Sequence, residues 1–268
     1  MKSIRTLALF LALASCHKPK STDSAAKEAA PSIQKKETRS LSEPVEPAVT
    51  PAKPETGKAP VHDFSKPVEP LAVSELPQAI RGTDYQLVFH DEFDGPAGTP
   101  ASKELWSDWA LGVRKDAFNV ADTCRLDGEG NLTIAIRRNT ETGRIETGGV
   151  TSQKKFQATH GYFECRSKVS DVDGAWSAFW VQSPTIGNPL NDATKAGVEI
   201  DVLECFSGHK RYKDTARHTA HWDGYGKDHK HEALGVKVPG ITENFHTYAV
   251  KWDEQGYVFF IDGVESGR

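Results

Sequence analysis

Gly161-Tyr162-Phe163-Glu164-Cys165-Arg166-Ser167-Lys168-Val169 reads as a strand. Phe163, Cys165 and Val169 fall on one face, and Tyr162, Glu164, Arg166 and Lys168 on the other. That is the two-residue period of a pleated chain with one side against a core. Working outward, residues 85–89, 131–136, 175–182, 198–206, 215–222, 247–252 and 257–261 have the same character. Turn formers separate several of them: Asp127-Gly128-Glu129-Gly130, Asp253-Glu254-Gln255-Gly256 and Asp262-Gly263. No stretch sustains a helical period. Many short strands at this spacing predict an all-β fold, a β-sandwich, over residues 80–268.

The first third of the 268-residue chain is different material. All six Trp lie between Trp106 and Trp252. Met1-Lys2-Ser3-Ile4-Arg5 is basic, and residues 6–14 are apolar but too short to span a bilayer, the shape of an export signal over residues 1–15. Leu13-Ala14-Ser15-Cys16 resembles a bacterial lipoprotein box, which implies cleavage before Cys16 and lipidation of its thiol. Acyl chains contribute about 0.8 kcal/mol per buried methylene, so several on Cys16 would anchor the chain to a membrane. His17 after the cysteine leans toward the outer membrane or cell surface. Residues 16–79 hold ten of the 15 prolines and a single aromatic, Phe64. Such a segment buries too little apolar surface to offset ordering entropy, and an extended, disordered spacer is expected. Net charge is −4, which argues against a nucleic-acid binder. Cys124, Cys165 and Cys205 form no even framework, and Cys165 and Cys205 are expected as buried thiols.

The chemistry-bearing stretch is Gly197-Val198-Glu199-Ile200-Asp201-Val202-Leu203-Glu204-Cys205-Phe206. On a strand, Glu199 and Asp201 share a face, whereas Glu204, five residues from Glu199, points away. A β-bulge within Val202-Leu203 would bring Glu204 back. Three carboxylates on one face repel one another, and at least one resists ionising. A retaining glycosidase needs such a division: one carboxylate attacks the anomeric carbon while another protonates the leaving oxygen. By residue content alone, a solvated acidic strand or a metal site is an equal alternative.

The alternatives narrow with context. Glu199-Ile200-Asp201-Val202-Leu203-Glu204 resembles the bulged Glu-x-Asp-x-x-Glu signature of glycoside hydrolase family 16, jelly-roll endo-glycanases with a concanavalin A-like sandwich. Residues 85–94 resemble the family's opening strand. Gly161-Tyr162-Phe163-Glu164-Cys165-Arg166 and Gly174-Ala175-Trp176-Ser177-Ala178-Phe179-Trp180 resemble the two strands before the catalytic one, and residues 245–252 with 257–263 a later hairpin. The resemblance implies Glu199 as nucleophile, Glu204 as acid/base, and Asp201 hydrogen-bonded to the nucleophile. It also implies a polysaccharide lying along a concave face, with Trp176 and Trp180 as stacking platforms. Asn119 and Arg166 occupy positions that resemble substrate-contacting ones, and His221-Trp222 would shape the acceptor side.

No cofactor is expected for catalysis. The resemblance allows a structural calcium on the convex side, with Glu92 and nearby backbone contributing. The run His218, His221, His229, His231 invites a metal reading, but His-Lys-His in a polar loop lacks a convincing second ligand pair, and no metal is expected there. The family pattern continues for several dozen residues past Asp262-Gly263, so the domain is expected to lack its last strands. The activity implied is retaining endo-hydrolysis of a β-linked polysaccharide by a monomer, with β-1,3-glucan slightly favoured. The rivals are an algal galactan hydrolase (agar, porphyran or carrageenan) and a non-catalytic carbohydrate-binding surface lipoprotein.

Overall fold

A computed structural model describes residues 76–268, together with the backbone of 4–7 and 11–14. The spacer and Cys16 lie outside the described residues.

Two antiparallel-rich sheets face each other. The first is built on Gly161–Ser167, His246–Asp253, Gly256–Ile261 and Val264–Gly267, paired in that order. The second carries Ala175–Gln182, Glu199–Phe206, Thr215–Trp222 and Lys230–Lys237 as consecutive neighbours. The alternation in the sequence decides what lies between them. Phe163 and Cys165 stand opposite Val250 and Tyr248 in the ladder. All four pack with Phe179, Ile200, Val202, Leu203, Cys205, Phe259 and Ile261 into one buried cluster. Tyr162 and Glu164 occupy the outer face of the same strand, where the Tyr162 hydroxyl donates to Glu164 Oε2 at 2.7 Å. The expected β-sandwich is therefore present, and the predicted faces of residues 161–167 are the observed ones. Cys124, Cys165 and Cys205 are free, buried thiols, as read for the last two from their strands.

Two other elements position the site. The hairpin of Gly112–Arg114 and Ala117–Asn119, joined by Ile145–Thr147, carries Trp109 and Lys115 toward the second sheet. A separate apolar cluster includes Phe89, Phe93, Trp106, Cys124, Leu126 and Val150. Trp106 donates its indole N–H to Asp91 at 2.7 Å, the polar partner that a buried indole requires. In the first sheet, the turn at Asp262-Gly263 is fastened to the core. His246, fully buried, lies 2.8 Å from Asp262 Oδ2, and Asp262 Oδ1 accepts the Thr247 N–H at 2.8 Å.

Two features differ from the sequence reading. His229-Lys230-His231 is expected in a polar loop, yet Lys230–Lys237 pairs with Thr215–Trp222 along all eight residues. It is an exposed edge strand, and edge strands keep polar residues that an alternation test discards. Ile4–Leu7 runs parallel between Gly161–Ser167 and Gln86–Phe89, and Leu11–Ala14 lies antiparallel against Ala175–Gln182. A cavity of about 1020 Å³ opens beside the sandwich core, with Phe163, Val181, Ile200 and Trp252 in its wall.

Candidate active site

The acidic strand departs from regularity at one point. Phe179 pairs with Leu203, and the next residue, Trp180, pairs with Asp201. Val202 is the extra residue. On the other side, Asp201 pairs with Thr219 and Glu204 with Arg217, so three steps on one strand match two on its neighbour. This is a β-bulge at the predicted place. Its effect is visible in burial: Val202 and Leu203 both go into the core, each 0% exposed. Glu204 then returns to the face of Glu199 and Asp201.

A buried bulge leaves backbone groups out of the ladder, and they need partners. The Val202 carbonyl accepts from His218 Nδ1 at 2.7 Å, on the core side. His218 Nε2 lies 2.9 Å from the Ser266 hydroxyl, and its ring stacks on Phe259 with centroids 4.4 Å apart. Since a carbonyl only accepts, Nδ1 carries the proton and Nε2 accepts from Ser266. Burial lowers the His218 pKa to about 4 and keeps the ring neutral.

Directly opposed residues of antiparallel strands share a face, so the register lays out the site. Trp176, Ala178, Trp180 and Gln182 stand beside Phe206, Glu204, Asp201 and Glu199. Arg217, Thr219 and His221 follow on the next strand, and His231 on the one after. Glu199 accepts hydrogen bonds from Gln182 Nε2 and from the Tyr225 hydroxyl, which in turn accepts from Gln182. Burial raises the Glu199 pKa, and the Tyr225 hydrogen bond and His221 oppose the rise. Glu204 is buried and held at both oxygens. Trp176 Nε1 donates to Oε1 at 3.1 Å, and Thr219 Oγ1 to Oε2 at 2.7 Å. Asp201, between them, is pushed well above the ordinary carboxylate range, first by burial and then by the charges of Glu204 and Glu199. It is the carboxylate that resists ionising. Its partner is not Glu199, as expected, but His221, whose Nε2 approaches Oδ2 to 3.0 Å off the line of a hydrogen bond; that buried oxygen has no donor.

The structure sorts the remaining expected residues. Trp176 and Trp180 both flank the acids. Trp180 meets Trp109 edge to face at 5.3 Å, and the Lys115 ammonium lies 3.7 Å from the Trp176 ring centroid. Asn119 is buried and donates to the Trp109 carbonyl at 3.4 Å, so it sits behind the aromatic wall. Arg166 does not join the site. It belongs to the outer face of the first sheet, where its guanidinium lies over Phe245 at 4.4 Å. Trp222 alternates away from the face that His221 shares with Glu199. Glu92, expected at a calcium, is half exposed and lies 3.5 Å from His90. Asp94 Oδ1 and the Glu92 carbonyl border Gly130. Calcium takes oxygen ligands, backbone carbonyls among them; among the described residues no trio of ligating side chains gathers there.

Gln182, Thr219, Tyr225, Trp109 and Lys115 were not anticipated. Strand parity from Trp180 and His221 would have found the first two. Tyr225 lies in a turn, where no periodicity reports a side chain's direction.

A profile of the Glycosyl hydrolases family 16 matches residues 113–267. The chain belongs to that family. Among curated relatives of this family 16 chain is the endo-1,3-1,4-beta-glycanase EglC of Rhizobium meliloti, 31% identical over 52% of the chain and 29% of that protein. The keratan-sulfate endo-1,4-beta-galactosidase of Sphingobacterium multivorum is 24% identical over 67% of the chain and 42% of that protein. A beta-glucanase of Rhodothermus marinus is 28% identical over 66% and 63%. The chain thus spans about a third to two thirds of the length of these relatives. Among solved structures, the laminarinase of Rhodothermus marinus aligns with a TM-score of 0.53 at 24% identity, over 65% of the chain and 70% of that one. The non-specific endo-beta-1,3(4)-glucanase SCLam aligns with a TM-score of 0.54 at 23% identity, over 72% and 74%. Both share the fold.

Proposed function

We propose that this family 16 domain hydrolyses a β-linked polysaccharide internally and with retention, with Glu199 as nucleophile and Glu204 as acid/base. The observation that carries the reading is the bulge at Val202, which returns Glu204 to the face of Glu199 with the neutral-leaning Asp201 between them. Retaining enzymes hold the two working carboxyls about 5–5.5 Å apart.

Glu199 Oε attacks the anomeric carbon while the bond to the leaving oxygen breaks and Glu204 gives that oxygen its proton. Water, deprotonated by Glu204, then displaces Glu199. The protonated Glu204 is accommodated where it stands: the Thr219 hydroxyl can turn and accept from Oε2 instead of donating to it. Tyr225 and Gln182 hold one Glu199 oxygen and leave the other for attack. Asp201, biased toward its neutral form by burial and by the two glutamates, disfavours a third negative charge in the site. Trp109, Trp176 and Trp180 offer the apolar ring faces on which sugars stack. The glucanase relatives support a β-1,3- or mixed-linked glucan as substrate. The keratan-sulfate relative and Lys115 beside Glu204 favour an anionic galactan as the second reading.

Proton NMR of the first-formed product decides the stereochemistry. A β anomer from a β-linked glycan is expected, and an α anomer refutes the assignment. Initial rates on laminarin, lichenan, agarose, porphyran, carrageenan and keratan sulfate rank the substrates.

The same reading extends to location. Export through residues 1–15, with cleavage that takes the strands Ile4–Leu7 and Leu11–Ala14 from the mature domain, and lipidation at Cys16 would tether a monomeric domain at the cell envelope, facing the outer membrane or cell surface, with residues 16–79 as spacer. Mass spectrometry of the mature N-terminus tests this, since an unacylated start elsewhere removes the anchor. No helix of the described residues is long and apolar enough to cross a membrane.

A further inference from the structure

Beside the acids lies a cluster that the hydrolytic reading does not use. His221 and His231 are directly paired across adjacent strands, so both imidazoles project from the acid face. His229 reaches them from the turn before Lys230–Lys237, held by its N–H to the Gly226 carbonyl at 3.2 Å. The three rings form a near-equilateral set, with centroids 5.0 Å (221 to 229), 5.7 Å (221 to 231) and 5.6 Å (229 to 231) apart. One nitrogen from each lies within 4.8 Å of the others. His221 Nδ1 and His229 Nε2 are already 2.8 Å apart.

We propose that His221, His229 and His231 bind one divalent first-row transition ion, of which zinc is the best match, and that His221 relays its presence to Asp201. Three neutral imidazoles suit zinc, copper or nickel, whereas calcium and magnesium want oxygen. Zinc holds imidazole nitrogens at about 2.0–2.1 Å, which places tetrahedral ligands about 3.3 Å from one another. Small ring rotations reach that from the spacing present. Three protein ligands leave a fourth position open to water.

The outer partner is also within reach, a turn of the ring away from the line of a hydrogen bond. An ion on His221 Nδ1 leaves the proton on Nε2, 3.0 Å from Asp201 Oδ2, the buried oxygen without a donor. Metal-bound histidines characteristically donate their second N–H to such a carboxylate. Without the ion, a single proton bridges His221 Nδ1 and His229 Nε2, and the ring that carries it sets whether His221 Nε2 donates to Asp201 or accepts from it. The ion thus replaces that proton and fixes His221 Nε2 as the donor toward the acid site. This goes beyond the hydrolytic reading and does not rest on it, because binding is measured without any glycan.

The test uses the untagged full chain, stripped with chelator and titrated with cobalt(II) and zinc(II). One ion per chain is expected, with the visible absorption of tetrahedral cobalt on nitrogen and no thiolate charge-transfer band. His229→Ala and His231→Ala should each weaken binding by more than the roughly 10–100-fold that loss of an outer partner costs, and Asp201→Asn by about that factor. Calcium should not compete. In parallel, zinc should protect these three histidines of the wild-type chain from acylation by diethyl pyrocarbonate, read by peptide mass spectrometry. That arm needs no variant to fold. Zinc binding undiminished in the His229→Ala/His231→Ala double variant, no saturable binding at micromolar ion, or acylation of the three rings unchanged by zinc overturns the proposal.

Discussion

Glu199 and Glu204 differ in what surrounds them, and substitutions should expose the difference. Glu204→Gln should slow turnover of a natural glycan by about 10²–10⁴-fold, because the leaving oxygen loses its proton donor. With an activated leaving group the loss should shrink, and azide should restore part of the rate with a β-configured azide product. Glu199→Gln should abolish glycosyl-enzyme formation on both substrate types, read by intact-mass trapping. The acid limb of the rate profile belongs to Glu199, whose pKa burial has raised. Tyr225→Phe removes a hydrogen bond that opposes that rise. The Glu199 pKa therefore climbs further, and the acid limb of kcat/KM should move to higher pH. An unmoved limb would detach Tyr225 from the nucleophile. The glutamates themselves were legible in the sequence because their spacing is tied to one strand. Tyr225 was not, since it reaches Glu199 from a turn 26 residues away.

At the level of the element, the bulge is fixed from the core by a histidine, and this has a pH signature. His218 titrates near 4 when folded and near 6.5 when unfolded. Its folded pKa is depressed, so the unfolded chain takes up the proton first. Stability is full above about 6.5 and falls as pH drops toward 4, by on the order of 3 kcal/mol for this group. His218→Leu should flatten that part of the stability curve, measured by denaturant unfolding between pH 4 and 7. It should also cost about 1–3 kcal/mol at neutral pH by orphaning the Val202 carbonyl. A slope unchanged in the variant would assign the acid sensitivity elsewhere. The need for a bulge followed from parity: an odd offset of five cannot put Glu199 and Glu204 on one face of a regular strand. The clamp did not follow, because nothing in the spacing of His218 names the carbonyl it meets. Arg166 shows the converse. Its place on the outer face was readable from alternation with Phe163 and Cys165, and the substrate contact inferred by resemblance gave way to that geometry.

Over the whole molecule, the three buried thiols divide between two cores. Cys165 and Cys205 belong to the cluster between the sheets, and Cys124 to the smaller one around Trp106. Burial lifts the Cys124 and Cys205 pKa values to about 11, and that of Cys165 upward as well, so thiolate is scarce at neutral pH. Native protein should therefore resist a disulfide exchange reagent at all three sites. Under mild denaturant Cys124 should label before Cys165 and Cys205, because fewer apolar side chains enclose it. Simultaneous labelling, followed by peptide mass spectrometry, would mean that both cores open as one unit. The sandwich was legible from alternation, which reports half-buried strands well. The exposed edge strand Lys230–Lys237 escaped because polar residues on both faces carry no period, and with it escaped the meeting of His229 and His231 with His221.

The aromatic wall has an optical consequence. Trp176 has its indole N–H on Glu204 and an ammonium 3.7 Å from its ring centroid, while Trp109 and Trp180 touch edge to face. Indole emission responds to neighbouring charge and to water. A sugar ring laid on these faces, or a proton gained by Glu204, should therefore change the colour and intensity of the intrinsic fluorescence. The cleft carries its own dye, and occupancy can be followed in real time on unlabelled protein.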